Sequence, residues 1–278
     1  MTYDVLGAGA LDYAPCRYGN SKLIFRGPER RMDVPYVAFL GGTATYGKFI
    51  KCPYPALVES DLGVNCINFG ISNAGVDVLL NDLMLAEASN RSEVTVLQII
   101  GAQNLSNRFY TVHPRRNDRF VAASPLLSTI YPEVDFAEFH FTKHMLSCLF
   151  QVSKERFSAV RGELQMAWVA RMKLLLKRIK GRKVLIWISD HAPLSEEAFV
   201  LDPAKAKTPL FVTQEMLDTL MPLANRFVEV VVTPEAIAAG TEGMVFSQME
   251  AMAASEVLGP KAHGEVALKL GKTLHDLL

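Results

Sequence analysis

The residues best equipped for chemistry in this chain fall into two groups. The first is a set of short polar turns, each placed directly after an apolar run. Gly41-Gly42-Thr43 follows Val34 to Leu40, and Gly70-Ile71-Ser72-Asn73 follows Val64 to Phe69. Gly101-Ala102-Gln103-Asn104 follows Val94 to Ile100, and Ser189-Asp190-His191 follows Lys183 to Ile188. Hydroxyl and amide groups hydrogen-bond and polarise a bound molecule, and a His exchanges a proton near neutral pH. The second group is a basic, aromatic stretch, NRFYTVHPRRNDRFVAAS, carrying Arg108, His113, Arg115, Arg116 and Arg119. Guanidinium pairs with carboxylate, phosphate or sulfate in bidentate geometry, so this cluster fits an anionic ligand. The competing reading is a surface ion-paired with Glu133, Asp135 and Glu138. His140 and His144 have a spacing that can hold zinc on a helix, but the intervening FTK lacks the Glu of the protease motif. Cys16, Cys52, Cys66 and Cys148 show no Cys-x-x-Cys spacing, so neither a zinc site nor a disulfide framework is indicated; no metal or other cofactor is expected.

Turns of this kind meet at one place only if the strands before them run parallel. The intervening sequence supplies the helices that parallel crossovers need. Tyr54 to Leu62 reads as a helix closed by Gly63, and Gly75 to Ser89 as a second helix. Glu155 to Lys180 reads as a long amphipathic helix stopped by Gly181, and Thr213 to Arg226 as another. Phe227 to Val232 makes a fifth strand, and Pro260 to Leu278 a terminal amphipathic helix. Five strands alternating with helices predict an α/β fold, a three-layer α/β/α sandwich. Its ligands bind at the carboxyl edge of the sheet, where the polar turns emerge.

The 278 residues approach the upper size of one core, so the reading is a single domain over 34–278, preceded by an arm over 1–33. In the arm, Arg17, Arg26, Arg30 and Arg31 are candidates to face the site, against the commoner reading of solvated surface charge. Gly7-Ala8-Gly9 is rejected as a dinucleotide loop because no strand-turn-helix context surrounds it. Residues 105–160 break the alternation as an insertion after the third strand. Its many aromatics need something to pack against, which makes it either a lid or recognition element, or a homo-oligomer contact. Half of the residues are hydrophobic and 29 Lys plus Arg balance 29 Asp plus Glu, so nucleic acid is not an expected partner. No basic-then-apolar N-terminal segment and no membrane-length apolar run is visible. The expected location is cytoplasmic, or released without a secretion signal as part of a particle.

The turns also invite comparison with a known superfamily. Gly41-Gly42-Thr43-Ala44-Thr45-Tyr46-Gly47 resembles the first block of the SGNH/GDSL hydrolases, Gly-Asp-Ser-x-Thr-x-Gly, in which the Ser is the nucleophile. Asn68-Phe69-Gly70-Ile71-Ser72-Asn73 resembles the second block, and Gly101-Ala102-Gln103-Asn104 is similar to the third, Gly-x-Asn-Asp. The stretch from Glu256 through Gly259 and His263 to Gly264 looks like the closing Asp-x-x-His-Pro block. The resemblance covers roughly residues 34 to 270 without the insertion. It implies a flavodoxin-like, parallel five-stranded sheet. Thr43 stands where that superfamily has its Ser, Gly42 replaces the Asp, and Gly259 and Glu256 occupy the places of the catalytic His and its Asp. The resemblance thus implies Thr43 at the nucleophile position, with a role as a polar turn residue capping the following segment as the competing reading. It leaves the base without a His; His191, directly after the fourth strand, is the leading substitute, with His263 and the insertion's His113, His140 and His144 as alternatives. Gly42, Asn73, Gly75, Gln103 and Asn104 would polarise or bind substrate, with His113, Arg115, Arg116 and His263 as further ligand contacts. His263 falls in the first turn of the terminal helix, which reads as a surface position. Two functions follow: an esterase or acyltransferase on a carbohydrate or other polar, anionic substrate, or a non-catalytic glycan-binding or assembly module using the same pocket.

Overall fold

The computed structural model describes residues 9–198, 202–204 and 207–278. Seven strands form among them: β1 (Tyr36–Gly41), β2 (Asn65–Gly70), β3 (Val94–Gln98), β4 (Tyr110–His113), β5 (Arg116–Ala123), β6 (Arg182–Ser189) and β7 (Arg226–Val231). Five of them make one parallel sheet in the order β2-β1-β3-β6-β7, while β4 and β5 form a separate antiparallel hairpin. Read as strands 2-1-3-4-5, this is the flavodoxin-like order. The helices are α1 (Thr43–Tyr46), α2 (Tyr54–Leu62), α3 (Val76–Asn81), α4 (Leu83–Arg91), α5 (Pro125–Ile130) and α6 (Thr142–Val152). They continue as α7 (Lys154–Arg178), α8 (Gln214–Asp218), α9 (Pro234–Ala238), α10 (Ala251–Ser255) and α11 (Pro260–His275).

The central strands are apolar throughout because both faces of the sheet are covered. Every residue of β1 is buried. Tyr36, Ala38 and Leu40 join one core with Leu85 of α4, Leu149 of α6, and Leu164 and Trp168 of α7. Val37 and Phe39 join the other, with Val58 of α2 and Val266, Leu270 and Leu274 of α11. The result is a three-layer α/β/α sandwich.

The arm belongs to this core. Cys16 and Phe25 pair as an antiparallel bridge, and Tyr18, Leu23 and Phe25 are buried against Phe69. Its expected orientation toward the site does not hold for three of its arginines. Arg26 is buried and donates to the carbonyls of Tyr46, Gly47, Ile50 and Lys51, Arg30 pairs with Glu59, and Arg31 pairs with Asp33. Of the rejected Gly7-Ala8-Gly9 turn, Gly7 and Ala8 lie outside the described residues.

Two expected helices are shorter than their patterns suggest. The predicted helix over 75–89 divides at Asp82, whose carboxylate accepts from the Leu85 N–H at 3.0 Å and so starts α4 anew. The helix expected over 213–226 stops at Asp218 and gives way to a tight turn, Met221–Leu223, because Pro222 has no N–H to continue the ladder. His140 and His144 do not share a helix: α6 begins at Thr142, and the His144 ring packs edge-on against Phe139. Among the described residues no helix is long and apolar enough to cross a membrane.

Candidate functional site

Three of the four polar turns, those after β1, β2 and β3, meet at the carboxyl edge of the sheet and are tied to one another there; Ser189-Asp190-His191, after β6, bonds instead to Thr208 and Lys207. The side-chain oxygen of Gln98, the last residue of β3, receives three donors from the turn after β1. These are the Gly42 N–H (2.9 Å), the Thr45 N–H (3.2 Å) and the Thr45 hydroxyl (2.7 Å). Because the Thr45 proton goes to Gln98, the Tyr54 hydroxyl, 2.7 Å away, donates to Thr45. The loop after β2 is joined through Asn73, which sits at φ +56°, a left-handed conformation that Asn tolerates better than most residues. Its N–H donates to the Thr43 hydroxyl at 2.9 Å, and that hydroxyl lies 3.2 Å from Asn73 Oδ1, to which it donates.

The loop after β3 closes the set. Asn104 donates its amide to the Asn73 carbonyl and accepts from the Thr142 hydroxyl at 2.6 Å. The Asn104 carbonyl approaches Gly75 so closely that a Cβ there would lie 1.4 Å from it, which requires glycine. Asn117 of β5, itself buried, accepts from the N–H groups of Gly75 (3.1 Å) and Val78 (3.0 Å). It thereby caps α3 from another element, since the N-cap Gly75 has no side chain. The β4–β5 hairpin is therefore a fixed wall of the site, and Asn73 donates to Asp118 on it at 3.3 Å.

These bonds define what the edge can do. An oxyanion hole needs donors aimed at open space. Here the N–H groups of Gly42, Asn73 and Gly75 point instead at Gln98, Thr43 and Asn117, and Asn104 binds Asn73. A general base must reach the hydroxyl it activates. Among the described residues the Thr43 hydroxyl has no His as a hydrogen-bond partner; both of its bonds are to Asn73.

The rings of His191 and His263 are held by other neighbours. The Nδ1 of His191 donates to the Ala192 carbonyl, and its ring packs edge-on against Trp187. Its Nε2 is buried without a hydrogen-bond partner among the described residues. His263 is buried rather than on the surface, which corrects the sequence expectation: α11 turns it inward to stack on the Tyr54 ring and accept the Tyr54 N–H at 3.0 Å. Burial, reinforced by the charge of Arg26, pushes its pKa down to about 3, so it is neutral. Gly259, one turn earlier, faces the Gly240 carbonyl, and a Cβ there would stand 2.4 Å from that oxygen. No side chain fits at that position. Gln103 presents its carbonyl to the Tyr110 hydroxyl at 2.6 Å, and its side-chain oxygen is buried without a hydrogen-bond partner among the described residues.

Beside the turns lies a cavity of about 680 Å³, within the range of small-molecule sites. His113, Arg115, Arg116 and Arg119 of the hairpin line one side, and Lys22, Leu23 and Ile24 of the arm another. Tyr46, Ile71 and Ser72 complete it from the turns. Among the described residues no carboxylate lines it. Among the described residues Lys22, Arg115, Arg116 and Arg119 form no ion pair, and Arg119 is held over the Phe141 ring at 4.1 Å. His113 Nδ1 accepts from the N–H groups of Arg115 and Arg116, so its proton resides on Nε2. Of the three carboxylates weighed as neutralising partners, Glu133 pairs with Arg156 and Asp135 accepts from the Ala137 N–H, and among the described residues none forms an ion pair with the cavity's arginines. Arg108 leaves the cluster and pairs with buried Glu163 at 2.7 Å.

The structure places Arg115, Arg116 and His113 in the cavity lining together with Lys22, Ile24 and Tyr46, which sequence reasoning assigned to no site, as it gave no locking role to Gln98 or Asn117. Gln98 carried a signal, a lone amide at the end of an apolar strand. Lys22 and Asn117 carried none, because their roles depend on which loops the fold brings together. Among the described residues no group of three or more His, Cys, Asp or Glu is placed to hold a metal ion.

Several solved structures share part of the chain path. One is a carbohydrate acetylesterase family member from Sinorhizobium meliloti, with TM-score 0.43 and 10% identity, covering 88% of this chain and 99% of that one. Another is the lipase Lip_vut3 from a goat rumen metagenome, with TM-score 0.40 and 11% identity, covering 85% and 96% respectively. A gut microbial diltiazem-metabolizing enzyme gives TM-score 0.35 and 13% identity, covering 87% of this chain and 47% of that one. No curated protein matches the sequence. The match to a family model extends over residues 1–278, and the chain belongs to that family, described as a domain of unknown function, DUF6473.

Proposed function

We propose that this protein binds an anionic carbohydrate, or a polar anion of similar size, in the cavity between the arm, the hairpin and the turn after β2, without cleaving an ester. One observation carries this reading: Lys22, Arg115, Arg116 and Arg119 converge on one concave surface with, among the described residues, no carboxylate in its lining. Unneutralised guanidinium groups around a cavity are a standing attraction for carboxylate, sulfate or phosphate. The rest of the lining supports a sugar in particular. Tyr46, Ile24 and Ile71 offer an aromatic and aliphatic surface to the C–H face of a pyranose, while the cations take its acidic substituent. The Tyr46 ring is steadied by Tyr13, with ring centres 5.2 Å apart.

The binding reading is preferred to ester hydrolysis because among the described residues no His is hydrogen-bonded to the Thr43 hydroxyl, and the surrounding donors are spent on neighbouring loops. Titration calorimetry at low salt tests it, using paired uronic, sulfated and phosphorylated sugars with their neutral parents. Saturable binding confined to the anionic members, and weakening with added salt, is the expected result. Equal binding of neutral and anionic members, or none by either, would overturn it. So would turnover of aryl acetates that disappears in Thr43→Ala.

A further inference from the structure

The basic cavity does not end at its cations. It shares Lys22, Leu23 and Arg115 with a second cavity of about 310 Å³. Val78, Leu83, Met84 and Pro114 form the apolar part of that second recess. Leu83 opens α4 and is 76% exposed, so its side chain is offered to the recess and not consumed by the core. Two of the polar residues in its lining are engaged with each other: the Ser21 hydroxyl donates to Asp82 Oδ2 at 2.7 Å, and Asp82 Oδ1 caps α4, while Asn20 and Asn81 stand exposed at its edge. A cationic pocket thus opens, across Arg115 and Lys22, into a small apolar one.

Resting on the anion-binding reading above, we infer that the ligand is an anionic amphiphile, with its charged head among Arg115, Arg116, Arg119 and Lys22 and an apolar substituent lying against Leu83, Val78 and Pro114. The occupant is a single free molecule and not a bilayer surface. The apolar wall is recessed between the arm, α4 and the hairpin turn, and its rim carries the Asp82 carboxylate, which an anionic membrane would repel. The two recesses also explain one another. Without a tail, exposed Leu83 has nothing to cover it; without the cations, nothing would orient a tail there.

Matched probes test the inference by calorimetry: methyl and octyl glucuronide, methyl and octyl sulfate, methyl and octyl phosphate, with octyl glucoside as the neutral control. The octyl member of at least one pair is expected to bind about tenfold or more tighter than its methyl partner, as burial of a few methylene groups would give. Leu83→Ser, an exposed change that leaves the core intact, is expected to erase that gain while leaving the methyl member's affinity unaltered. Arg116→Gln is expected to weaken both members of the pair. Equal affinity of methyl and octyl members overturns the amphiphile and leaves the anion site standing. Failure of every charged probe, or binding of octyl glucoside as tight as that of octyl glucuronide, overturns the anion site itself. Flotation of the protein with phosphatidylcholine–phosphatidylglycerol vesicles, abolished by Leu83→Ser, would assign the recess to a membrane and overturn the free ligand.

Discussion

The Thr43 hydroxyl is bonded twice to one residue, accepting from the Asn73 N–H at 2.9 Å and donating to Asn73 Oδ1 at 3.2 Å. A hydroxyl saturated in this way is a clamp between the loops after β1 and β2. Thr43→Ala is therefore expected to cost about 1 kcal/mol of stability, the usual net worth of such hydrogen bonds, and Thr43→Ser to restore most of it. Urea denaturation of the three proteins measures this. The clamp reading fails if Thr43→Ala is as stable as the parent.

The cations of the cavity are expected to act additively only in part, since Arg115 and Arg116 are neighbours on one turn. Arg115→Gln and Arg116→Gln should each weaken an anionic ligand by about tenfold at low salt, in keeping with charge-assisted bonds of ~1.4 kcal/mol or more. Arg108→Gln should leave affinity unaltered, because Arg108 serves Glu163 instead. Calorimetry of the three variants separates the cavity from the general charge of the hairpin. A loss in Arg108→Gln equal to that in Arg116→Gln would contradict the geometry.

Asn117 carries more than its size suggests. Its side-chain oxygen holds the Gly75 and Val78 N–H groups, and its amide donates to the His113 carbonyl at 3.0 Å. Asn117→Ala leaves two donors at the start of α3 without a partner and frees the hairpin from the β2 loop. A loss of about 2 kcal/mol is expected, with a parallel fall in anion affinity because Arg115, Arg116 and Arg119 lose their fixed placement. Asn117→Asp, which keeps the acceptor, should retain more stability than Asn117→Ala in thermal unfolding.

What the sequence disclosed and what it concealed divide along physical lines. The strands were legible because burial on both faces leaves continuous runs such as Val34 to Leu40, and the turns after them because glycine and amide residues interrupt those runs sharply. Parallel order followed from the helices between. Arg115 and Arg116 were legible as a cationic pair, since their charge does not depend on the fold. Other features rest on contacts between residues far apart in the chain: Gln98 beneath Gly42, Asn117 on Gly75, Lys22 across from Arg116. Local pattern holds no record of such pairings. The burial of His263 was misread for the same reason, because its position in the first turn of α11 gave no sign that Tyr54 would receive it.

Arg26 offers a sharp test of how the arm supports the site. Its guanidinium is buried, and that burial lowers its pKa; its partners are the four carbonyls of the 46–51 turn, joined by the Tyr13 ring at 5.3 Å. Arg26→Met keeps the aliphatic stem but leaves those carbonyls without their donor. A loss of about 2–4 kcal/mol is expected, and Arg26→Lys should rescue little because one ammonium cannot span four acceptors. Denaturation midpoints of the two variants decide the point.

His263 makes stability depend on pH in a direction that can be fixed beforehand. Unfolded, the imidazole titrates near 6.5; folded, burial and then the charge of Arg26 push it down to about 3. Between these values the unfolded chain binds a proton that the folded chain refuses, so stability falls as pH falls. The contribution is fully present above about pH 6.5 and is lost toward pH 3, with a slope of up to about 1.4 kcal/mol per pH unit from this one group. His263→Gln can still accept the Tyr54 N–H through its amide oxygen but cannot be protonated. Its stability at pH 7 should be somewhat lower than the parent's because the stacking on Tyr54 is lost, while its decline from pH 6.5 to pH 4 should be shallower. Urea titrations across that interval measure both slopes. If the two proteins decline in parallel, the acid sensitivity resides in other groups and His263 is not the buried base that its bond to Tyr54 makes it.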